Sequence, residues 1–261
     1  MNDSNPASAV VVGIDGSPAA IHAAQWAIDE AISRSVPLRL VYVTKPRHPS
    51  ADDYYEDIHH GEASLLAAKA AVEASGKPVK VETAMLDGPP GAALVEESRD
   101  AGLICAGSVG IGRYARSILG STATDLAEKA HCPVAIIRPL EEQPRNAINW
   151  VVVEVNEQPD NEAVVEAAIQ EAKLRQAPVL AVGKDPGLEG TVDTWKRRHP
   201  DVHIYPVSGE ADIAHFLKKH DVRLQLAVIG GSQAGELAKI VGPHGHPAFH
   251  HIESSVLIIR H

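Results

Sequence analysis

Short apolar segments rich in β-branched residues alternate along the chain with longer segments of mixed polarity. The first apolar segment, Ala9–Ile14, is short and nearly continuous, which is typical of a strand buried on both faces. Ser17 and Pro18 then provide a helix N-cap and a first-turn proline, so a helix is predicted from there to about Ser35. This alternation predicts an α/β fold with a doubly wound parallel sheet.

The same alternation continues to the end of the chain. In the first half the predicted strands are Ala9–Ile14, Leu38–Val43, Val79–Ala84, Leu103–Ala106 and Val134–Ile137. The later helices of this half are predicted at Tyr54–Ser75, Gly91–Ala101 and Ser121–Ala130. In the second half the predicted strands are Trp150–Val155, Val179–Val182, Val202–Tyr205, Leu226–Ile229 and Val256–Ile259. A short helix at Thr191–His199 replaces the long second helix of the first half.

The two halves repeat one another. Val10–Pro18 resembles Val151–Pro159, and the two segments align at a shift of 141 residues. The last strands align at a shift of 122 residues, so the second half is 19 residues shorter in its middle. A period this long indicates duplicated domains rather than a solenoid. The sequence therefore predicts two five-stranded domains, residues 1–140 and 148–261, joined by a polar linker at 141–147.

Composition and charge exclude several classes of protein. The net charge of −10 argues against a nucleic-acid binder, because affinity for polyphosphates comes mainly from clustered Lys and Arg. No segment approaches the ~20 apolar residues that cross a membrane. The first eight residues lack the pattern of a secretory signal, and only two cysteines occur. We therefore expect a cytoplasmic globular protein with no nucleic-acid or membrane partner.

The candidate chemistry lies where two predicted strands of the first half end. Asp15 follows the first strand, and the glycine-rich segment 107–112 follows the fourth. Gly120, Ser121 and Thr122 then begin a helix, whose N-terminal N–H groups suit phosphate. Arg113 and Arg116 stand between the two groups of glycines. Because ligands bind beyond the carboxyl ends of parallel strands, the sequence predicts a phosphate cradle with a carboxylate opposite it. It is neither a P-loop nor a Rossmann fingerprint.

The spacing Gly107-x2-Gly110-x9-Gly120-Ser121 resembles the ATP-binding motif of the universal stress protein family. The opening Val11–Pro18 and the closing Cys132-Pro133-Val134 are also similar to that family. The resemblance covers nearly the whole chain as a tandem member with two domains. It implies an ATP- or AMP-binding module of strand order 3-2-1-4-5, usually dimeric and involved in stress or dormancy responses.

The resemblance also implies the roles of individual residues. Three positions, Gly13, Asp15 and Val43, should hold the adenosine. Five others should line the phosphates: Gly107, Gly110, Gly120, Ser121 and Thr122. ATP is the expected ligand, while AMP, ADP and an accompanying Mg²⁺ stay open. The alternative is that the glycines only form turns and that Asp15 only caps the following helix.

The second half departs from this pattern. Asn156 stands in place of Asp15, and Glu154 and Glu157 replace two glycines of the first half. Pro243 follows Gly242, where the first half has a serine, so a backbone donor and a hydroxyl are both lost. Because carboxylates repel phosphate, we expect the second domain to be a degenerate copy of the first.

No metal or catalytic site is predicted at the histidines or the cysteines. A metal site at His244, His246, His250 and His251 is disfavoured, since no cysteine or acidic residue with ligand spacing accompanies these histidines. His59 and His60 are expected on a polar helix face. Cys105 and Cys132 are expected to lie near each other and to pack as small buried residues.

The leading function is regulatory ATP binding in a stress response, without efficient catalysis, because no general base or acidic pair is evident near the glycine loop. Two alternatives stay open: a slow nucleotide hydrolase or adenylating enzyme using the same pocket, and a partner-binding protein with an empty pocket. The last strands of the two halves are expected to pair within one chain, and a homodimer stays open. The sequence does not identify a signalling partner.

Overall fold

The computed structural model describes residues 9–109, 119–138, 149–210, 212–220, 224–237, 240 and 254–260. The chain folds as two compact units, one within residues 1–139 and the other within residues 140–260. The predicted linker at 141–147 lies outside the described residues, as do Pro243 and the four C-terminal histidines considered as metal ligands.

The first unit is a parallel sheet flanked by helices, as predicted. Its described strands are β1 (Ala9–Ile14), β2 (Leu38–Thr44), β3 (Val81–Asp87), β4 (Ala101–Gly107) and β5 (Val134–Ile137). Its described helices are α1 (Pro18–Arg34), α2 (Ala51–Glu73), α3 (Pro90–Glu97) and α4 (Ser121–Lys129). The strand order is β3-β2-β1-β4-β5, with every pair parallel. This order confirms the one that the resemblance implied, and it places β1 between β2 and β4.

The second unit repeats the arrangement with shorter elements. Its described strands are β6 (Trp150–Val155), β7 (Val179–Gly183), β8 (Ile204–Ser208), β9 (Leu224–Gly230) and β10 (Ser255–Ile259). Its described helices are α5 (Asn161–Arg175), α6 (Leu188–Arg198) and α7 (Ile213–Lys219). A 3₁₀ helix at Gly231–Glu236 follows β9. The order is β8-β7-β6-β9-β10, again parallel throughout.

The repeat extends to the ends of the helices and to buried charges. Helices α1 and α5 both end in a left-handed residue, Ser35 at φ 56° and Gln176 at φ 52°, which are 141 positions apart. Each helix also buries a glutamate that pairs with an arginine four residues later. The nitrogen–oxygen distances are 3.3 Å for Arg34–Glu30 and 2.9 Å for Arg175–Glu171. Burying a charge is costly unless it is paired, and in both units the buried glutamate has an arginine partner.

Several predicted boundaries are wrong. Helices α2 and α6 each begin three residues earlier than predicted, and β8 spans Ile204–Ser208 rather than Val202–Tyr205. Ala101 begins β4 rather than ending α3, because Ser98 Oγ ends the helix by donating to Val95 O and accepting from His131 N. Strand β3 starts at Val81 instead of Val79 and runs three residues beyond the predicted end. It lies at one edge of the first unit, where its residues are half-exposed and the apolar pattern is weak.

The core of each unit is built mainly from Ala, Val, Ile and Leu. Both cysteines, Cys105 and Cys132, are buried. Among the described residues, no helix has the length and apolar character needed to cross a membrane.

Candidate functional site

A cavity of about 490 Å³ lies at the carboxyl ends of β1, β2 and β4 in the first unit. Its size is within the range of small-molecule sites, and its position is the one where open parallel sheets bind ligands. The wall is formed by residues of these strands, of the N-terminal turns of α3 and α4, and of α2. Its polar lining residues are Asp15, Ser17, Tyr42, Lys45, Asp57, Ser121 and Thr122.

Asp15 lines the cavity just past the end of β1. Its Oδ1 accepts a hydrogen bond from Ser17 N at 2.9 Å, which fixes the carboxylate beside the start of α1. Ser17, not Asp15, is the N-cap of α1, since Ser17 Oγ accepts from Ala20 N. Between them Gly16 has φ 83°, and a Cβ there would meet Ser64 Oγ at 2.7 Å. Asp15 therefore has a structural role in this turn and also faces the cavity.

The N-terminus of α4 borders the same cavity. Gly120 is its N-cap, with no side-chain cap among the described residues, and Ser121 and Thr122 form its first turn. The first N–H groups of a helix have no partner within it, and together with the helix dipole they attract anions. Ser121 and Thr122 add two hydroxyl groups. This end of the cavity suits a phosphate group.

Two of the glycines line the cavity for reasons of packing. A Cβ on Gly107 would lie 2.8 Å from the backbone carbon of Ala19, so α1 approaches β4 closely only because Gly107 lacks a side chain. A Cβ on Gly13 would lie 2.8 Å from Leu94 Cδ1. The alternative that the glycines have a structural role therefore holds in part for Gly107 and Gly13, although both also line the cavity.

Seven of the eight residues predicted for the site line this one cavity, namely Gly13, Asp15, Val43, Gly107, Gly120, Ser121 and Thr122. The eighth, Gly110, lies outside the described residues, as do Arg113 and Arg116. The structure therefore brings together the residues that the resemblance assigned to adenosine and those that it assigned to phosphate.

The sequence analysis missed a second polar group in the same cavity. Asp57 of α2 accepts hydrogen bonds from Tyr42 Oη at 2.8 Å and from Lys45 N at 2.9 Å, and it pairs with His48 Nε2 at 2.8 Å. We call Asp57, Tyr42, His48 and the Lys45 backbone the Asp57 cluster. The sequence pattern does not single out Tyr42, which lies within a strand, or Asp57, which lies within a charged helix. Lys45 follows the end of β2 as Asp15 follows β1, so the rule that singled out Asp15 could have found it.

Burial and the hydrogen bonds of the Asp57 cluster shift the pKa values of Asp57 and Tyr42 in opposite directions. Burial alone would raise the pKa of Asp57, but hydrogen bonds from Lys45 N, His48 and Tyr42 outweigh it and lower that pKa. Burial and the hydrogen bond to Asp57 raise the pKa of Tyr42 well above its ordinary value. At neutral pH the cavity is therefore lined by an ionised Asp57 and a protonated Tyr42.

The equivalent strand ends of the second unit are bridged by side chains. Gln233 Nε2 donates to Glu154 Oε2 at 2.8 Å, and Gln233 Oε1 accepts from Gly230 N at 3.1 Å, so β6 and β9 are linked where the first unit has its cavity. Asn156 Oδ1 accepts from Gln158 N at 3.0 Å, which repeats the turn that Asp15 makes with Ser17 N. The second unit keeps the turn but has replaced the carboxylate of Asp15.

The described histidines form no metal site. Within the described ranges, no group of three or more His, Cys, Asp or Glu side chains is arranged to hold a metal ion. His59 lies on the exposed face of α2 beside Glu62, in line with its predicted position. His60 Nε2 lies 3.4 Å from Asp15 O, and its ring meets Tyr42 edge-on, so it packs against the turn after β1.

Comparison with known proteins gives a consistent result. The model of the Universal stress protein family matches residues 7–138. Universal stress protein Rv2624c of Mycobacterium tuberculosis (strain ATCC 25618 / H37Rv) is 60% identical over 260 residues, which cover 96% of each chain. A crystal structure of a universal stress protein from Archaeoglobus fulgidus has a TM-score of 0.71 at 14% identity, covering 97% of this chain and 96% of its own. A universal stress protein solved in complex with cAMP is 27% identical, covering 50% of this chain and 96% of its own, with a TM-score of 0.42.

Proposed function

The chain belongs to the universal stress protein family, and we propose that its first unit is a regulatory module that binds an adenine nucleotide, with ATP as the main ligand. The observation that carries the proposal is a single cavity lined both by Asp15 and by the N-terminus of α4, which has no side-chain cap among the described residues. A carboxylate accepts hydrogen bonds from sugar hydroxyls, and a helix N-terminus binds phosphate. These are the kinds of donor and acceptor groups that a nucleotide requires.

The apolar part of the cavity supports the same ligand. Val41, Val43, Leu94 and Ala106 line it beside the polar groups, and a purine ring is a flat apolar surface that such side chains can cover. Small-molecule sites are commonly apolar with a few polar groups that fix orientation. The family resemblance assigns the adenosine to Gly13, Asp15 and Val43, which also line the cavity.

We propose that nucleotide turnover is slow. The only carboxylates among the described lining residues are Asp15 and Asp57. The pKa of Asp57 is lowered, and its carboxylate is already hydrogen-bonded to three other groups, so it is a weak base. Asp15 already accepts a hydrogen bond from Ser17 N, and we assign it to the sugar rather than to the phosphates. A carboxylate pair that would hold Mg²⁺ beside the phosphates is not evident among the described residues, so Mg²⁺ would enter mainly with the nucleotide.

We expect the purified protein to retain or bind an adenine nucleotide while releasing phosphate slowly. Mass spectrometry of the ligand released by denaturation identifies any retained nucleotide, and calorimetry with added ATP measures affinity. A phosphate-release assay under saturating ATP then distinguishes a binding module from a hydrolase. Multiple turnovers per second, which is ordinary for enzymes, would favour the enzymatic alternative. Failure to retain or bind any adenine nucleotide would favour the partner-binding alternative.

The pairing of the two halves within one chain stays a prediction, as does the cytoplasmic location. Strands β5 and β10 are each the last strand in the order of their own unit, and both are apolar. An apolar edge strand is a template for pairing. We expect separately produced halves, residues 1–140 and 148–261, to co-elute when mixed. If both halves stay folded and monomeric in the mixture, the prediction is wrong.

A further inference from the structure

Lys45 is the one cationic side chain among the described residues that line the cavity, and the Asp57 cluster fixes its backbone there. Asp57 belongs to α2, Tyr42 to β2, and Lys45 and His48 to the connection between them. One carboxylate therefore ties three successive parts of the chain together at the rim of the cavity. The Asp57 side chain has only 8% of its surface exposed, whereas Lys45 itself is exposed at the rim.

The ammonium group of Lys45 makes no ion pair with the described residues, unlike many other lysines of this protein. Lys45 contacts Asp57 through its backbone N–H, so Asp57 fixes the position of Lys45 without neutralising its side chain. The ammonium group of a lysine that lines a cavity can donate up to three hydrogen bonds to a ligand.

The strand order indicates which end of a nucleotide would reach Lys45. Phosphate is expected at the α4 N-terminus, which follows β4, whereas Lys45 follows β2. Since β1 lies between them and neighbouring strands are about 4.8 Å apart, the ends of β2 and β4 are about 10 Å apart across the sheet. A nucleotide that places phosphate at α4 and its sugar at Asp15 on β1 therefore directs its base towards β2.

We propose that Lys45 is a specificity-determining residue that donates a hydrogen bond to an acceptor atom on the edge of the purine base, and that Asp57 is the positioning residue that holds it there. This inference rests on the proposed function. It assigns Lys45 to the base and not to the phosphates, even though its charge alone would suit either. Purine ring nitrogens are hydrogen-bond acceptors, which an ammonium group complements.

The test compares ATP with adenosine, which has the base and sugar but no phosphate. We expect Lys45→Met to weaken the binding of both ligands by the same factor, about tenfold, as for the loss of one charge-assisted hydrogen bond. Asp57→Asn should weaken both by a smaller equal factor. The double variant should bind no worse than Lys45→Met alone, because Asp57 acts through Lys45. Lys80→Met is the matched control, since Lys80 is an exposed lysine paired with Glu82 away from the cavity.

Each outcome decides the inference. A loss of affinity for ATP but not for adenosine would assign Lys45 to phosphate and overturn it. Unchanged binding of both ligands by Lys45→Met would also overturn it, while leaving the proposed function intact. Additive losses in the double variant would show that Asp57 does not act through Lys45 and would overturn its positioning role, and thermal melting of each variant measures any contribution to stability separately. A wild-type chain that binds neither ligand would overturn the proposed function, and this inference with it.

Discussion

Asp15→Ala is expected to weaken ATP binding by roughly tenfold to a hundredfold. The carboxylate of Asp15 lines the cavity and is held in place by Ser17 N, so it is ready to accept hydrogen bonds from a ligand hydroxyl. Hydrogen bonds to a charged group contribute about 1.5–3 kcal/mol, which corresponds to this range of affinity. Isothermal titration calorimetry at neutral pH measures the change directly.

Asp15→Asn separates binding from folding in this experiment. Asn156 already makes the equivalent turn in the second unit, so an asparagine at position 15 can keep the hydrogen bond to Ser17 N. We expect Asp15→Asn to melt at the wild-type temperature and still to bind ATP more weakly, although less so than Asp15→Ala. Asp193→Asn, on the exposed face of α6, is the matched control.

Gly120→Ala provides an independent check of the same cavity. Gly120 has φ −72° and ψ 156°, an extended conformation that alanine adopts without strain, so the variant should fold. Its added methyl group lies at the N-cap of α4, where phosphate is expected, and should reduce ATP affinity. If Asp15→Ala and Gly120→Ala both bind ATP as tightly as the wild type, the nucleotide site has been wrongly assigned.

Titration with ATP is expected to saturate at one equivalent per chain, bound by the first unit. In the second unit, Glu154 and Gln233 link the ends of β6 and β9 through a hydrogen bond of 2.8 Å. At an effective dielectric constant of about 20, a carboxylate ~6 Å from a phosphate charge costs about 2–3 kcal/mol before screening by salt. A micromolar ligand binds with only about 8 kcal/mol, so this repulsion alone removes a large share of the affinity.

A pair of equivalent substitutions assigns the single site. Asp15→Ala should weaken the one observed binding event, whereas Asn156→Ala, at the matching position of the second unit, should leave its affinity unchanged. Two equivalents of ATP bound per chain, or a loss of binding on Asn156→Ala alone, would show that the second unit is the functional one or shares the function. Stronger second-site binding at low pH would point to the C-terminal histidines, which gain positive charge there.

The sequence by itself determined the fold class, the tandem repeat and seven of the residues that line the cavity. Continuous apolar runs such as Ala9–Ile14 specify buried parallel strands, and Ser17-Pro18 specifies the start of α1, because both signals act over a few neighbouring residues. The site residues could be predicted because the carboxyl ends of parallel strands meet at one edge of the sheet. Asp15 and Gly120 are therefore brought together by topology alone, although they are 105 positions apart.

Tertiary structure alone decided which further polar residues line the cavity and why a glycine is required at some of its positions. Asp57 lies on a helix whose sequence predicts a solvated face, and only the packing of α2 against β2 brings its carboxylate to Tyr42 and Lys45 N. Gly107 fits a phosphate motif, yet its missing side chain is required by the close approach of α1. Such contacts depend on the distance between elements that are far apart in the chain, and a local pattern of residues contains no information about that distance.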